Sequence, residues 1–122
     1  MNELKPGSSE AKFADIIWDN EPLTSSELSQ KSEELLGWQK TTSFTVLKRL
    51  CNKGIFQNKR GTVTSIISRD EYISAQSEQF VEQTFNGSLP AFFAAFTSKK
   101  KLSAKEIEEL RRMIDEYEEG DT

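Results

Sequence analysis

The chain has 122 residues and a net charge of −4, with 35% hydrophobic and 30% charged residues. This size and lean apolar content predict one small domain, or one small domain with an oligomerisation arm, that gains stability from a partner subunit. The charge is uneven, since residues 1–69 carry a net +2 and residues 70–122 a net −6. Residues 39–69 contain seven Lys or Arg and no Asp or Glu, which favours an anionic partner over a merely solvated face.

Histidine is absent and cysteine is rare, although both residue types often support catalysis or metal binding. The chain contains no histidine and one cysteine, Cys51, which excludes imidazole chemistry, cysteine-rich metal sites and intrachain disulfides. We therefore expect no catalytic residue, no metal and no cofactor, and we interpret Cys51 as a small buried hydrophobic side chain. No apolar run nears the ~20 residues that span a bilayer and no signal-peptide core follows the N-terminus, so we expect a cytoplasmic protein without membrane insertion.

The N-terminal half predicts three helices. Apolar residues at helical spacing predict the first from Ser9 to about Asn20, capped by Ser8 or Ser9. Thr24-Ser25-Ser26-Glu27 has the spacing of a capping box and opens the second, which ends near Gly37. The third runs from about residue 42 to 53, with Thr41 as its N-cap and Gly54 just after its end.

A hairpin and three further helices follow. Residues 55–58 and 63–67 are rich in β-branched and aromatic side chains and flank Lys59-Arg60-Gly61, which predicts a two-stranded hairpin with a basic tip. Capping boxes at Ser68 and Ser103 open helices that end near residues 85 and 120, and a short apolar helix lies between them at residues 88–97.

The order of three helices and a hairpin is that of a winged helix-turn-helix, a fold that places one helix in the DNA major groove. The side chains at the start of the third helix are short and polar, and cations follow them, as base edges and phosphates require. The candidate DNA-binding residues are Lys40, Thr41, Thr42, Thr45, Lys48, Arg49, Lys59 and Arg60. The alternative is a winged helix that binds protein, which the apolar Phe44 favours.

The arrangement of these motifs resembles the penicillinase/methicillin-resistance repressor (BlaI/MecI) family over about residues 9–118. The matching segments are Ile16-Ile17-Trp18, Thr24-Ser25-Ser26-Glu27-Leu28, Trp38, Thr42, Thr45, Leu47-Lys48-Arg49-Leu50, Lys53-Gly54-Ile55, Asn86-Gly87-Ser88, Leu102-Ser103 and Ile107-Glu108-Glu109-Leu110. The resemblance implies a homodimeric repressor of inverted-repeat operators. It also implies a membrane-bound sensor protease as a partner, which in the best-known members responds to β-lactam and triggers cleavage of the repressor.

The chain departs from that family at several places, including a shorter wing in which Thr62-Val63-Thr64-Ser65 replaces the usual aromatic residues. Phe44 stands where a basic or polar residue is usual, and Thr41 where Lys or Arg is common, so the operator sequence does not carry over. Ala95-Phe96 aligns with the Asn–Phe bond that is cleaved in the family, so induced cleavage does not carry over either.

Five of the eight phenylalanines lie between residues 80 and 96. Three short helices cannot bury so much apolar surface alone, and an exposed patch of that size is typical of a subunit interface. The predicted dimer interface comprises Phe80, Phe85, Phe92, Phe93, Phe96, Ile107, Leu110 and Ile114. The alternative is that the phenylalanines line a small-molecule pocket.

These patterns combine into one prediction. The fold is mainly α: a winged helix-turn-helix domain with a two-stranded β wing at residues 1–69, and a helical dimerisation arm at residues 70–122. The function is that of a non-enzymatic, dimeric transcriptional repressor that binds a double-stranded DNA operator and negatively regulates transcription. A protein-interaction module and a regulator with a ligand pocket in the arm are the competing hypotheses.

Overall fold

A computed structural model describes residues 4–5 and 7–120. Its elements, in chain order, are α1 (Ser9–Asn20), β1 (Leu23–Thr24), α2 (Ser25–Leu36), α3 (Lys40–Asn52), β2 (Phe56–Lys59), β3 (Thr62–Ser65), α4 (Arg69–Phe85), α5 (Leu89–Thr97) and α6 (Ala104–Gly120). The predicted class, mainly helical with an N-terminal winged helix and C-terminal helices, is confirmed. The chain divides into two compact units, Met1–Ser77 and Glu78–Thr122.

Side-chain caps fix the starts of most helices. The Ser8 hydroxyl accepts a hydrogen bond from the Ala11 N–H at 3.1 Å and begins α1. Thr24 and Glu27 form the predicted capping box of α2, with distances of 2.8 and 3.0 Å. Gly37 then ends α2 with a left-handed backbone, φ 72°, which glycine adopts without a steric penalty.

The wing is part of a three-stranded antiparallel sheet with the order β1-β3-β2. β2 pairs with β3 in the predicted hairpin, and Arg60 (φ 54°) and Gly61 (φ 87°) form its two-residue turn. β1 pairs with the outer side of β3 through Leu23 opposite Val63. The sequence predicted two strands, because a two-residue strand is too short to show an alternating pattern.

The core lies in the first unit, between α1, α2, α3 and the sheet. Its fully buried members include Phe13, Ile17, Leu50 and Phe56, each 0% exposed. The Trp18 and Phe56 rings pack at the edge of this core with centroids 5.1 Å apart. This arrangement holds α3 firmly from its inner side and leaves its outer side to solvent.

The first turns of α4 are attached to the same unit. Trp18 Nε1 donates a hydrogen bond to the Ile67 carbonyl at 3.0 Å, just before α4 begins. The Tyr72 hydroxyl accepts a hydrogen bond from the Leu4 N–H at 2.7 Å, and its ring lies 5.7 Å from that of Trp18. Ser68 and Glu71 form the predicted capping box of α4.

In the second unit, helix boundaries again follow local signals. Asn86 and Gly87 both have positive φ, 52° and 80°, and separate α4 from α5. Ser88 caps α5 through the Ala91 N–H, and Ser103 with Glu106 forms the predicted capping box of α6. None of the described residues from 78 to 120 is buried.

Candidate nucleic-acid interface

The start of α3 differs from the sequence prediction. The helix begins at Lys40 after Gln39, whose side chain makes no capping hydrogen bond. Thr41 was predicted to be the N-cap, and that prediction is wrong because the helix starts without a side-chain cap and so left no capping signal in the sequence. Thr41 and Thr42 therefore lie in the first helical turn.

The inner face of α3 fixes the direction of its outer face. Val46, Leu47 and Leu50 are buried in the core, at 5%, 3% and 0% exposure. Residues three and four apart share a helix face, so the positions on the opposite face point away from the core. Thr41, Thr45 and Lys48 lie outside the buried face, and all three are exposed.

The structure exposes every one of the eight predicted DNA-binding side chains. Six lie on α3, at Lys40, Thr41, Thr42, Thr45, Lys48 and Arg49. Lys59 and Arg60 lie at the end of β2 and in the wing turn, and β2 packs against α3. The helix and the wing of this one unit thus both present polar and cationic groups to solvent.

One acidic residue lies against this face, and the sequence analysis missed it. Glu10 of α1 accepts a hydrogen bond from Arg49 Nη1 and forms an ion pair with it. The two residues are 39 positions apart, so no local spacing pattern links them. Both side chains remain partly exposed, at 46% for Arg49 and 32% for Glu10, and such a pair is readily exchanged for another anion.

Arg69 is the last residue of the segment 39–69, which contains no Asp or Glu, but it does not belong to the exposed cationic face. Its Nη2 donates to the Asp19 carboxylate at 2.6 Å and its Nε to the Asp15 carboxylate at 3.2 Å. The hydrogen bond to Asp19, followed by the charges of Asp19 and Asp15, raises the pKa of Arg69 despite some desolvation. Its guanidinium also lies over the Trp18 ring, 5.6 Å from the centroid. Arg69 therefore joins α4 to α1.

Cys51 lies on the inner flank of α3. It is half-buried and packs against the core, and burial raises the pKa of its thiol. A raised pKa leaves the thiol protonated at neutral pH and weakly nucleophilic. Among residues 4–5 and 7–120, no cluster of three or more Cys, Asp or Glu side chains could hold a metal ion.

The predicted interface residues lie in the second unit, and four of them form an aromatic cluster. The Phe80, Phe85 and Phe92 rings make edge contacts with centroids 5.7 to 6.1 Å apart, and Phe96 lies 5.9 Å from Phe92. Phe80 and Phe96 are still 50% and 48% exposed. A cluster that packs on one side and meets water on the other is the expected form of an uncovered interface.

The other predicted interface residues carry exposed apolar surface without forming part of that cluster. Phe93 is 47% exposed on α5. Ile107, Leu110 and Ile114 are 37%, 37% and 63% exposed and follow the spacing of a helix–helix seam along α6. Met113 and Tyr117, which lie beside them, are 62% and 72% exposed.

Comparison with known proteins identifies the group to which this architecture belongs. The sequence profile of the penicillinase repressor family matches residues 6–116. The chain belongs to the penicillinase repressor family. The penicillinase repressor of Bacillus licheniformis is 29% identical over 112 residues, which cover 88% of each chain. The methicillin resistance regulatory proteins MecI of Staphylococcus aureus and Mammaliicoccus sciuri are 25% and 24% identical over 111 residues, covering 88% of this chain and 90% of each relative.

Family membership confirms the resemblance seen in the sequence. It also confirms that this penicillinase repressor family member is a DNA-binding transcriptional repressor and not an enzyme. No helix in the described part of the chain has the length and apolar character needed to cross a membrane.

Proposed function

We propose that this repressor is a homodimer that binds an inverted-repeat operator in double-stranded DNA. The N-terminal part of α3 lies in the major groove, and the wing turn reaches the neighbouring phosphates. The observation that carries this proposal is the outer face of α3, where exposed threonines stand among exposed cations on a helix that is anchored by its buried inner face.

The threonines and the cations have different roles. Thr41, Thr42 and Thr45 are short, so they allow the helix backbone to approach base edges closely while they offer hydroxyl and methyl groups. Lys40, Lys48 and the wing residues Lys59 and Arg60 bind phosphates. Arg49 exchanges its Glu10 partner for a phosphate or a guanine edge, and this exchange favours DNA because phosphates attract the guanidinium and repel the carboxylate.

The exposed apolar side chains of α5 and α6 support the dimer. A second copy that covers these side chains removes their apolar surface from water. A two-fold axis then presents two α3 helices to half-sites about one DNA turn apart, or a small multiple of it, so the operator is palindromic. The net charge of −6 over residues 70–122 keeps the arm away from phosphate.

The family's cleavage site for a membrane-bound sensor protease does not carry over to this chain. Ala95–Phe96 lies within α5, in place of the Asn–Phe bond implied by the family resemblance. Cleavage in α5 or near it would divide the apolar surface that joins the two copies. Loss of the dimer would then release the operator, because each winged helix alone holds only one half-site.

The salt dependence of binding tests this proposal. Operator duplexes selected from a random pool are titrated with full-length protein over a range of salt concentrations, and log affinity should fall against log salt with a slope on the order of −4 to −8 per dimer. The variant K59A/R60A should make the slope shallower by roughly two to four. A matched control, K99A/K100A, changes exposed lysines in the loop before α6 and should leave the slope unchanged.

Binding that does not depend on salt would contradict the assignment of α3 and the wing to DNA. Equal effects of K59A/R60A and K99A/K100A on the slope would contradict the assignment of the wing. Failure to select any duplex would favour the competing hypothesis of a protein-interaction module.

A further inference from the structure

One apolar side chain stands on the otherwise polar outer face of α3. Phe44 is 38% exposed, whereas the neighbouring Ser43 is 1% exposed and points into the core. Lys40 and Lys48 lie one helical turn before and after it, and the Lys40 ammonium is 5.6 Å from the centre of the Phe44 ring. The ring is therefore bordered by cations on the face that the proposed function directs at DNA.

The surroundings of Phe44 argue against a protein groove as its partner. A protein surface that received this ring would also have to cover Lys40, Lys48 and Thr41, which are all exposed and polar. Removing these ammonium groups from water is unfavourable unless acidic groups of the partner pair with them. The major groove of DNA instead combines phosphates along its edges with one strongly apolar group on its floor, the 5-methyl group of thymine.

We propose that Phe44 is a specificity-determining residue that contacts the 5-methyl group of a thymine in each half-site of the operator. This inference rests on the proposed function and adds to it the base that α3 prefers at one position. The ring packs against the methyl group, while Lys40 and Lys48 bind the phosphates that border the groove on either side. The contact replaces hydrogen bonding by apolar packing, so it distinguishes thymine from cytosine and also from uracil, which lacks only the methyl group.

Deoxyuridine substitution tests the contact directly. In a duplex that full-length protein selects from a random pool, each symmetry-related pair of thymines is replaced by deoxyuridine, which deletes the methyl groups and preserves every hydrogen-bonding group. At one pair the affinity of the unaltered protein should fall roughly ten- to a hundredfold, which is the loss expected for uncovering two methyl groups and part of two rings. The other thymine pairs should respond much less.

Two variants assign the effect to the ring. F44A should bind the thymine and deoxyuridine duplexes with equal affinity, whereas F44L, which keeps an apolar side chain, should retain part of the difference. T45S is the matched control, because it removes only the methyl group of a neighbouring threonine that could also touch a thymine methyl group. It should respond to deoxyuridine as the unaltered protein does.

The outcomes separate the two proposals. Salt-dependent binding in which no deoxyuridine pair weakens affinity would overturn the role of Phe44 and leave the proposed function standing. A deoxyuridine effect that persists in F44A, or that disappears in T45S, would also overturn it, because another side chain would then hold the methyl group. If no duplex is selected at all, both proposals fail together. Circular dichroism of each variant confirms that its helices remain folded.

Discussion

The two compact units of this repressor use their apolar residues in opposite ways. In the first unit Phe13, Ile17, Leu50 and Phe56 are completely buried, and the helices that carry them enclose a core. In the second unit no described residue is buried, although α5 and α6 contain some of the largest apolar side chains of the chain. The first unit thus supplies its own core, whereas the second leaves its apolar side chains exposed, and the proposed dimer would cover them.

The same contrast extends to charge. The first unit presents cations outward on α3 and the wing, while the arm is acidic over residues 70–122. A DNA duplex should therefore attract α3 and the wing and repel the acidic arm. The proposed function thus assigns DNA binding and assembly to separate parts of the chain, and altering one part should leave the other working.

Truncation of the chain after Ser77 should have the largest effect. The remaining unit retains its buried core and the Trp18–Tyr72 contact, so it should unfold cooperatively as a monomer. Its operator affinity should fall by roughly 10²- to 10⁴-fold, because two half-sites are no longer held by one molecule. Sedimentation, thermal unfolding and operator titration measure these three properties. A truncated chain that still dimerised would contradict the division of labour between the units.

Truncating the apolar side chains of the α6 seam should have the next largest effect. The variant L110A/I114A removes apolar surface from both copies. Leu110 and Ile114 are 37% and 63% exposed, so dimerisation buries the equivalent of about one further large side chain in each copy. Dimer dissociation should therefore be easier by roughly 3–6 kcal/mol, at about 1.5–3 kcal/mol for each such equivalent. The matched control R111A/R112A changes neighbouring exposed residues and should alter dissociation by less than about 1 kcal/mol. Dilution experiments monitored by sedimentation give both constants. Equal effects in the two variants would remove α6 from the interface.

The variants R49A and R69A should have the smallest effects, and each should change a different property of the protein. R49A should weaken operator binding by roughly 1–3 kcal/mol and barely change stability, because its ion pair with Glu10 is exposed. R69A should lower the free energy of unfolding by about 1 kcal/mol, since it loses contacts with Asp15, Asp19 and Trp18, and should leave operator affinity nearly unchanged. Titration and denaturant unfolding of both variants test this. If R69A weakened DNA binding as strongly as R49A, the structural role of Arg69 would be wrong.

Most helix boundaries could be predicted from the sequence because they depend on nearby residues. Thr24 with Glu27, Ser68 with Glu71 and Ser103 with Glu106 each satisfy helix-end groups within four residues, and such local pairs are visible as spacing. The hairpin followed from the Arg60-Gly61 turn for the same reason. The candidate residues on α3 followed from polarity and charge along one helix face.

The remaining features depend on contacts between distant positions. β1 consists of two residues and exists because Leu23 pairs with Val63. The ion pairs of Arg49 with Glu10 and of Arg69 with Asp19 join residues 39 and 50 positions apart. Only the folded chain brings these groups together, so the sequence shows neither the acid beside Arg49 nor the acids that bind Arg69.

Sedimentation of the protein at micromolar concentration decides whether the exposed apolar surface of the second unit joins two copies. One subunit has a mass of 13.9 kDa. We expect a single species of twice that mass, which should bind a selected palindromic duplex as one dimer. A species of one subunit mass, both free and on DNA, would contradict it.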